Sequence, residues 1–246
     1  MTEWFKSAFG QEYLSLYAHR NDAEALELAR LILREIEPSE DALVLDAPCG
    51  AGRHIRAFAE AGLKPFGFDL SMTLLEHAMA DATPATIARA DLRAIPFRNE
   101  RFDLVTNLFS SLGYFDSEEI NRAVVQSLVQ LCRVGGWLVV DFMNAVYVTH
   151  NLQAESARTL ASGARVKDRR WIDGDPPRVN KTTEITSPDG GQTILRESVR
   201  LFKPEDLRGI LADAGALVRK EFGTYRGDSF DQEKSQRIIL MAQRVA

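Results

Sequence analysis

The stretch of this chain best equipped for chemistry is Asp46-Ala47-Pro48-Cys49-Gly50-Ala51-Gly52-Arg53-His54, a turn with two glycines just after a carboxylate. Without a Cβ at Gly50 or Gly52, a ligand can approach the backbone closely. A dinucleotide fingerprint, GxGxxG, would need glycine at position 55, where the chain has Ile55. Asp46 is also unsuited to facing a pyrophosphate, and suits an ammonium group instead. Asp69 follows Gly52 by seventeen residues, where a carboxylate can take both hydroxyls of a ribose. Asp91 and Leu92 come next, and there a carboxylate can accept from an exocyclic amine. In this order the three carboxylates fit one ligand, built from an amino acid, a ribose and an adenine, with no phosphate.

These residues must stand at strand ends to converge, and the hydrophobic pattern supplies the strands. Ala42 to Ala47, Pro65 to Leu70, Thr86 to Asp91, Phe102 to Phe109 and Trp137 to Phe142 read as short apolar strands. Helices are expected between them: Arg53 to Gly62, Met72 to Ala80 with Ser71 as N-cap, and about 117–132 with Asp116 and Glu119 as a capping box. Gly135-Gly136 is expected to end that last unit. Strand–helix alternation at this spacing implies an open parallel sheet with helices on both faces. In such a sheet ligands bind at the carboxyl ends of the strands.

Upstream, Trp4, Phe5, Phe9, Tyr13 and Tyr17 form an aromatic stripe at helical spacing, and a second helix is expected at about 22–36. Downstream, residues 165–201 are rich in Arg, Thr, Val and Ile and contain the turn signal Pro188-Asp189-Gly190-Gly191. They read as an inserted antiparallel subdomain. Lys203-Pro204-Glu205 opens another helix, and 216–222 with 237–242 can pair as a terminal hairpin. The expected organisation is a lid segment over 1–40, a cofactor-binding α/β core over 41–145, a β-rich cap over 146–202, and the rest of the core over 203–246.

Composition narrows the function classes. The net charge of −5 over 246 residues gives no global attraction to nucleic acid or anionic lipid. Between 165 and 200, eight Lys/Arg face six acids, which reads as a solvated hairpin face. Cys49 and Cys132 form no CxxC pair and no cluster with zinc spacing, so reduced thiols, a cytoplasmic setting and no metal are expected. No leader-like segment opens the chain and no apolar run reaches the ~18 residues of a membrane span.

The stretches VLDAPCGAGRH (44–54), FGFDLS (66–71), ARADLRAIPF (88–97), FDLVTNLFSSLGYF (102–115) and RVGGWLVVDFMN (133–144) resemble the class I S-adenosylmethionine methyltransferases. The tail SVRLFKPEDLRGILADAG with SQRIILMAQ is similar to the ending of their small-molecule members. One departure is Pro48, where many members have the first glycine of a three-glycine loop. The resemblance implies a Rossmann-like, mostly parallel sheet and S-adenosyl-L-methionine as cofactor, with S-adenosyl-L-homocysteine as product.

It also implies roles. Asp46, Ala47 and the Gly50–Gly52 turn would hold the methionine part. Asp69 with Leu70 would hold the ribose, and Asp91 and Leu92 would flank the adenine. Asn107 to Phe109 would lie near the sulfonium. The aromatic stripe would close as a lid, bringing Tyr17, His19 and Arg20 toward the methionine carboxylate, unless it is simply a helix packed on the sheet. Tyr114 and His54 are the candidate bases; packing and a solvent-facing helix start are their plainer roles. Trp171, Tyr225 and Arg226 are expected to wall the acceptor pocket, together with Tyr114. The partner implied is a small-molecule methyl acceptor, neither DNA nor membrane, with a homodimer left open. The absence of a [DN]-P-P-[YF] segment after the fourth strand, replaced by Asn107-Leu108-Phe109-Ser110, argues against DNA-base methylation. Competing functions are an RNA or protein methyltransferase docking through the β insertion, and a non-catalytic cofactor-binding module.

Overall fold

A computed structural model describes residues 3–17, 22–80 and 85–245. Three helices come first, α1 (Phe5–Ala8), α2 (Gln11–Leu16) and α3 (Asp22–Ile36). The alternating segment follows as β1 (Leu43–Asp46), α4 (Arg53–Glu60), β2 (Lys64–Asp69), α5 (Met72–Ala80), β3 (Thr86–Arg89), β4 (Phe102–Asn107), α6 (Glu118–Leu131) and β5 (Cys132–Met143). After α7 (Ala145–Asn151) come β6 (Glu155–Thr159), β7 (Arg165–Asp173), β8 (Arg178–Thr186) and β9 (Gln192–Arg200). The chain finishes with α8 (Pro204–Asp213), β10 (Ala216–Phe222) and β11 (Arg237–Arg244).

The main sheet has seven strands in the order β10-β11-β5-β4-β1-β2-β3. The pairs from β5 to β3 are parallel, and β11 runs antiparallel to both β5 and β10. The chain leaves β1 toward β2 and β3, then returns to place β4 on the other side of β1. That reversal opens a crevice at the carboxyl ends of β1 and β4, where an α/β sheet binds its ligand.

Alternation along the strands explains the two-sided burial. Val44, Leu104 and Val139 join Leu28, Ile32 and Phe58 of α3 and α4 on one face. Leu45, Val105, Leu138 and Val140 join Val124, Leu128 and Val129 of α6 on the other. Side chains at successive strand positions point to opposite faces, so each β-strand contributes to both cores.

Four expectations change. The aromatic stripe is not one helix: Gly10, extended at φ −107°, separates α1 from α2, because glycine is the poorest helix former after proline. Ser117, not Asp116, caps α6, its hydroxyl accepting from Ile120 N–H at 3.2 Å. Gly135-Gly136 lies inside β5 and does not end the unit. Gly135 has φ +78° and a Cβ on Gly136 would sit 2.9 Å from the Arg133 carbonyl, so the pair bends the strand where it enters the sheet. Finally, the insertion is a separate four-stranded antiparallel sheet, β6-β7-β8-β9, larger than the 165–201 pairing expected.

Candidate active site

A cavity of about 510 Å³ opens at the β1/β4 crevice. Its floor comes from the turn after β1 and the ends of β2 and β4, and its wall from the N-terminal aromatics Phe5, Phe9, Tyr13 and Tyr17. Among the sequence-predicted residues, Gly50, His54, Asp69, Leu70, Asp91, Leu92, Phe109, Tyr114 and Tyr17 line it.

Asp46 ends β1 and lies just beneath, 1% exposed. Thr106 Oγ1 donates to its Oδ1 at 2.8 Å, while Oδ2 has no hydrogen-bond partner. Burial raises this carboxyl to about 7, opposed by the Thr106 hydrogen bond and the charge of Arg53. His54 Nδ1 stands 3.8 Å from that free oxygen, too far for a hydrogen bond. Burial, helped by the charges of Arg53, Arg237 and Arg56, lowers the imidazole to about 3. His54 is therefore neutral and leaves the carboxylate unpaired.

Asp69 ends β2 with both oxygens anchored. Gly50 N–H donates to Oδ2 at 2.9 Å and Ser71 N–H to Oδ1 at 2.8 Å. Burial raises its pKa against these backbone bonds. Each oxygen keeps a lone pair for the cavity, so the carboxylate can still accept two donors from a ligand. Asp91 follows β3, where Arg93 holds it bidentately at 3.0 and 2.6 Å. The hydrogen bonds from Arg93 keep its pKa low.

Other predicted residues stand behind the cavity. Ala47 accepts from Asn107 Nδ2 at 2.6 Å, which ties the ends of β1 and β4 together, and Asn107 Oδ1 is buried without a partner. Gly52 packs on α5: a Cβ there would come within 2.9 Å of Ala78 Cβ. Only Gly50 of the two turn glycines faces the cavity. Arg20, with His19, lies outside the described residues.

The acceptor-wall expectation needs correction. Trp171 is 39% exposed and lines a shallow depression on the β insertion, away from the cavity. Its indole N–H is taken by Asp173 at 2.8 Å. Tyr225 donates to buried Asp141 at 2.8 Å, and exposed Arg226 offers its carbonyl to Arg34. Trp171 lies on β7 of the inserted sheet, and Tyr225 and Arg226 lie in the turn between β10 and β11, so none of the three lines the cavity.

Nor are Tyr114 and His54 set up as bases. Tyr114 is wedged against Trp4, Phe5 and Phe9 at centroid distances of 4.9, 6.3 and 5.9 Å. Burial pushes its phenol well above the ordinary range, so it stays protonated. An imidazole held at about 3 has little proton affinity at neutral pH.

The sequence reading missed the support around β4. Phe109 and Ser110 are consecutive non-glycine residues at φ +61° and +60°, a conformation that costs free energy and persists only when surroundings hold it. Asp141 supplies the hold: its Oδ2 accepts from Phe109 N–H at 3.0 Å, and its carbonyl from Ser110 N–H at 2.9 Å. Arg237 pairs with Asp141 at 2.5 Å and stacks on the Phe109 ring, 5.0 Å from its centroid. A second missed residue, buried Arg178 of β8, donates to the carbonyls of Gly113, Tyr114 and Phe115 at 3.1, 3.2 and 2.9 Å. It fixes the loop after β4 to the inserted sheet. No local sequence signal marks either residue, since both pairings bring together segments far apart in the chain.

Among the described residues no helix is long and apolar enough to cross a membrane, and no His/Cys/Asp/Glu group gathers for a metal.

A mostly parallel sheet with this strand order, one reversed strand, β11, next to the edge strand β10, and a carboxylate-lined crevice defines the Rossmann-like methyltransferase fold. The CcbJ methyltransferase from Streptomyces caelestis superposes with a TM-score of 0.82 over 100% of both chains, at 16% identity. A family profile described as a methyltransferase domain matches residues 44–136. A malonyl-[acyl-carrier protein] O-methyltransferase from Enterobacter lignolyticus is 34% identical over 217 residues, covering 87% of this chain and 75% of that one. The chain belongs to the class I S-adenosylmethionine-dependent methyltransferases. A dTDP-3-amino-3,4,6-trideoxy-alpha-D-glucopyranose N,N-dimethyltransferase from Streptomyces venezuelae is 35% identical over 120 residues, 48% of this chain and 49% of the relative. The alignment thus spans about half the length of that relative.

Proposed function

We propose that this protein transfers a methyl group from S-adenosylmethionine to a nitrogen of a small molecule, with an oxygen acceptor as the broader class. The observation that carries the cofactor assignment is the buried Asp46 oxygen without a partner, beside a cavity that also holds the Asp69 and Asp91 carboxylates. An isolated buried carboxylate is costly unless a cation meets it, and the ammonium of an amino acid is such a cation. Asp69 would take the ribose hydroxyls, with Leu70 beside it. Asp91 and Leu92 would border the adenine, and Phe109 the sulfur.

When bound, the cofactor supplies a methyl group on a positive sulfonium, open to in-line displacement. The chain's task is to place the acceptor and exclude water. Aromatic faces attract positive charge, and Phe9, Tyr13, Tyr17 and Tyr114 supply them at the cavity wall. Nitrogen is favoured over oxygen because neither Tyr114 nor His54 can take a proton from a hydroxyl at neutral pH. An amine needs mainly alignment and desolvation. The amino-sugar N,N-dimethyltransferase relative supports the same acceptor class.

The lid belongs to this proposal. Lys181 Nζ donates to the Tyr17 hydroxyl at 2.6 Å, and Tyr17 to Glu197 at 3.3 Å. These bonds link the N-terminal segment to the inserted sheet and support a lid role for α1 and α2, whereas α3 packs on the sheet as part of the core. We also take the protein to work in the cytoplasm, where Cys49 and Cys132 stay free thiols, and to act without DNA.

The test is direct. The protein is incubated with methyl-labelled S-adenosylmethionine and pooled amines and alcohols, and products are read by mass spectrometry, beside calorimetric titration with S-adenosylhomocysteine. Labelled amines are expected. Labelled alcohols alone would refute the nitrogen preference, and no cofactor binding would refute the assignment as a whole. Asp69→Ala should weaken S-adenosylhomocysteine by roughly 1–3 kcal/mol, the scale of lost charge-assisted hydrogen bonds.

A further inference from the structure

Arg178, the first residue of β8, is 7% exposed, and its guanidinium is bonded to main-chain carbonyls and one serine. Nη1 donates to the Phe115 carbonyl at 2.9 Å, and Nη2 to the carbonyls of Gly113, Tyr114 and Ser198 at 3.1, 3.2 and 2.7 Å. Nε donates to Ser198 Oγ at 2.9 Å. Among the described residues no acid is in ion-pair contact with it, and the charges of Asp116 and Glu118 act on it from farther away. Directly across the strand pair stands Arg200, also buried, and like charges facing each other on neighbouring strands are destabilising.

A buried cation without a counter-ion is a costly fastening for a loop, since apolar packing of similar volume often stabilises as well. What the guanidinium adds is geometry, a planar fork with fixed N–H directions. Three successive carbonyls converging on one fork fix the peptide planes of 113–115, and with them the direction in which each side chain leaves the loop. Two of those side chains, Tyr114 and Phe115, line the cavity, whereas Arg178 itself does not. The loop is tied to the inserted sheet at two further points. The Gly113 carbonyl also accepts from Arg200 N–H at 2.8 Å, and Arg200 pairs with Glu118 at the start of α6 at 3.1 Å. The cofactor-side carboxylates are held differently, within the core: Asp69 by the N–H groups of Gly50 and Ser71, and Asp91 by Arg93.

We propose that Arg178 is a positioning residue for the methyl acceptor: through the 113–115 carbonyls the inserted sheet sets where Tyr114 and Phe115 stand in the cavity, and so which amines are aligned for transfer. This rests on the reading of the cavity as a methyl-transfer site for amines. It gives the insertion a part in acceptor choice, acting through the loop that it grips.

Competition separates positioning from mere support. Wild type, Arg178→Lys and Arg178→Met are each given methyl-labelled S-adenosylmethionine and the same equimolar pool of amines, and the label on each amine is read by mass spectrometry. The distribution of label reports ratios of kcat/KM, which a smaller folded fraction leaves unchanged. Arg178→Met should change the ratio between the two most labelled amines by at least about fivefold, because small misplacements near the reacting groups are expensive. Arg178→Lys keeps the charge without the planar fork and should fall between the two. It also carries the test if thermal melts show that the methionine variant does not fold. Calorimetric affinity for S-adenosylhomocysteine should change by less than about threefold in both, since the cofactor-side carboxylates are anchored elsewhere. An unchanged distribution with less total label would make Arg178 a structural residue. An unchanged distribution with cofactor affinity falling in step would place its influence on the cofactor. Either result overturns the proposal and leaves the methyltransferase reading standing. A wild type that labels no amine would overturn that reading, and the role of Arg178 with it.

Discussion

If Asp46 meets the cofactor's ammonium as proposed, binding should depend on pH. Its carboxyl, raised to about 7 by burial, is close to half protonated at neutral pH before any ligand arrives. An ammonium favours the charged form, so binding should release a proton, and affinity should rise with pH up to about 8. Between pH 8 and pH 6 the dissociation constant should increase about tenfold. Titrations in buffers of different ionisation enthalpy count the released proton, and a pH-independent affinity would be inconsistent with this role. The same shift acts on the unliganded fold. A raised folded-state pKa contributes stability below the unfolded value near 4, and that stability is lost as pH rises through about 7. Asp46→Asn removes the ionisation. Thermal melts should therefore show it gaining on wild type at pH 8 relative to pH 5, although it binds S-adenosylmethionine poorly.

At the scale of elements, the turn after β4 depends on β5 and β11. Two left-handed residues in succession, Phe109 and Ser110, are kept by Asp141 of β5, which is fully buried and paired with Arg237 of β11. Asp141→Asn preserves shape but leaves the Arg237 guanidinium without its counter-charge. Breaking a buried pair from one side should cost about 3 kcal/mol, measurable by urea denaturation. The turn carries Phe109 into the cavity, so turnover should also fall at temperatures where the variant remains folded, because small misplacements of reacting groups are expensive. Unchanged turnover in the folded variant would mean that the turn geometry plays no part in placing the acceptor. The glycine at 113 belongs to the same region. It has φ +77°, and a Cβ there would meet Arg200 Cβ at 2.9 Å, which lets β9 lie against the loop that Arg178 clamps.

For the whole molecule, the question is how the N-terminal segment acts on the core. Phe5 is part of the main hydrophobic cluster and Leu16 packs on Ala164, Val166 and Ile185 of the inserted region. The N-terminal segment therefore bridges the core and the inserted sheet, and the cavity lies between. A ligand that binds the closed arrangement more tightly stabilises it by the difference in affinity. Amides of residues 4–17 should exchange more slowly with S-adenosylhomocysteine bound than without. Deleting residues 1–20 should lower cofactor affinity and turnover together while the main sheet remains folded. Equal exchange in both states would identify the segment as a permanent part of the core, and its deletion would then destabilise the whole protein.

The sequence by itself determined the parallel core and the three strand-end carboxylates. Both are local properties: alternation of apolar residues sets the strands, and a residue next to a turn is at a strand end whatever the rest of the chain does. It also carried the family resemblance, since Asp46, Gly50, Asp69 and Asp91 lie in short contiguous stretches. Tertiary structure decided what depends on distant segments meeting. It separated the two turn glycines into one facing the cavity and one packing on α5. It turned Trp171 and Tyr225 away from the cavity and joined Asp141 to Arg237, 96 residues apart. It also set the acidities that decide chemistry: burial, which no local pattern reports, holds Tyr114 protonated, keeps His54 neutral and brings Asp46 to the edge of ionisation. Desolvation and register are properties of the assembled fold, so the sequence located the strand-end carboxylates around the cavity but not the acidities of Tyr114 and His54 or the positions of Trp171 and Tyr225.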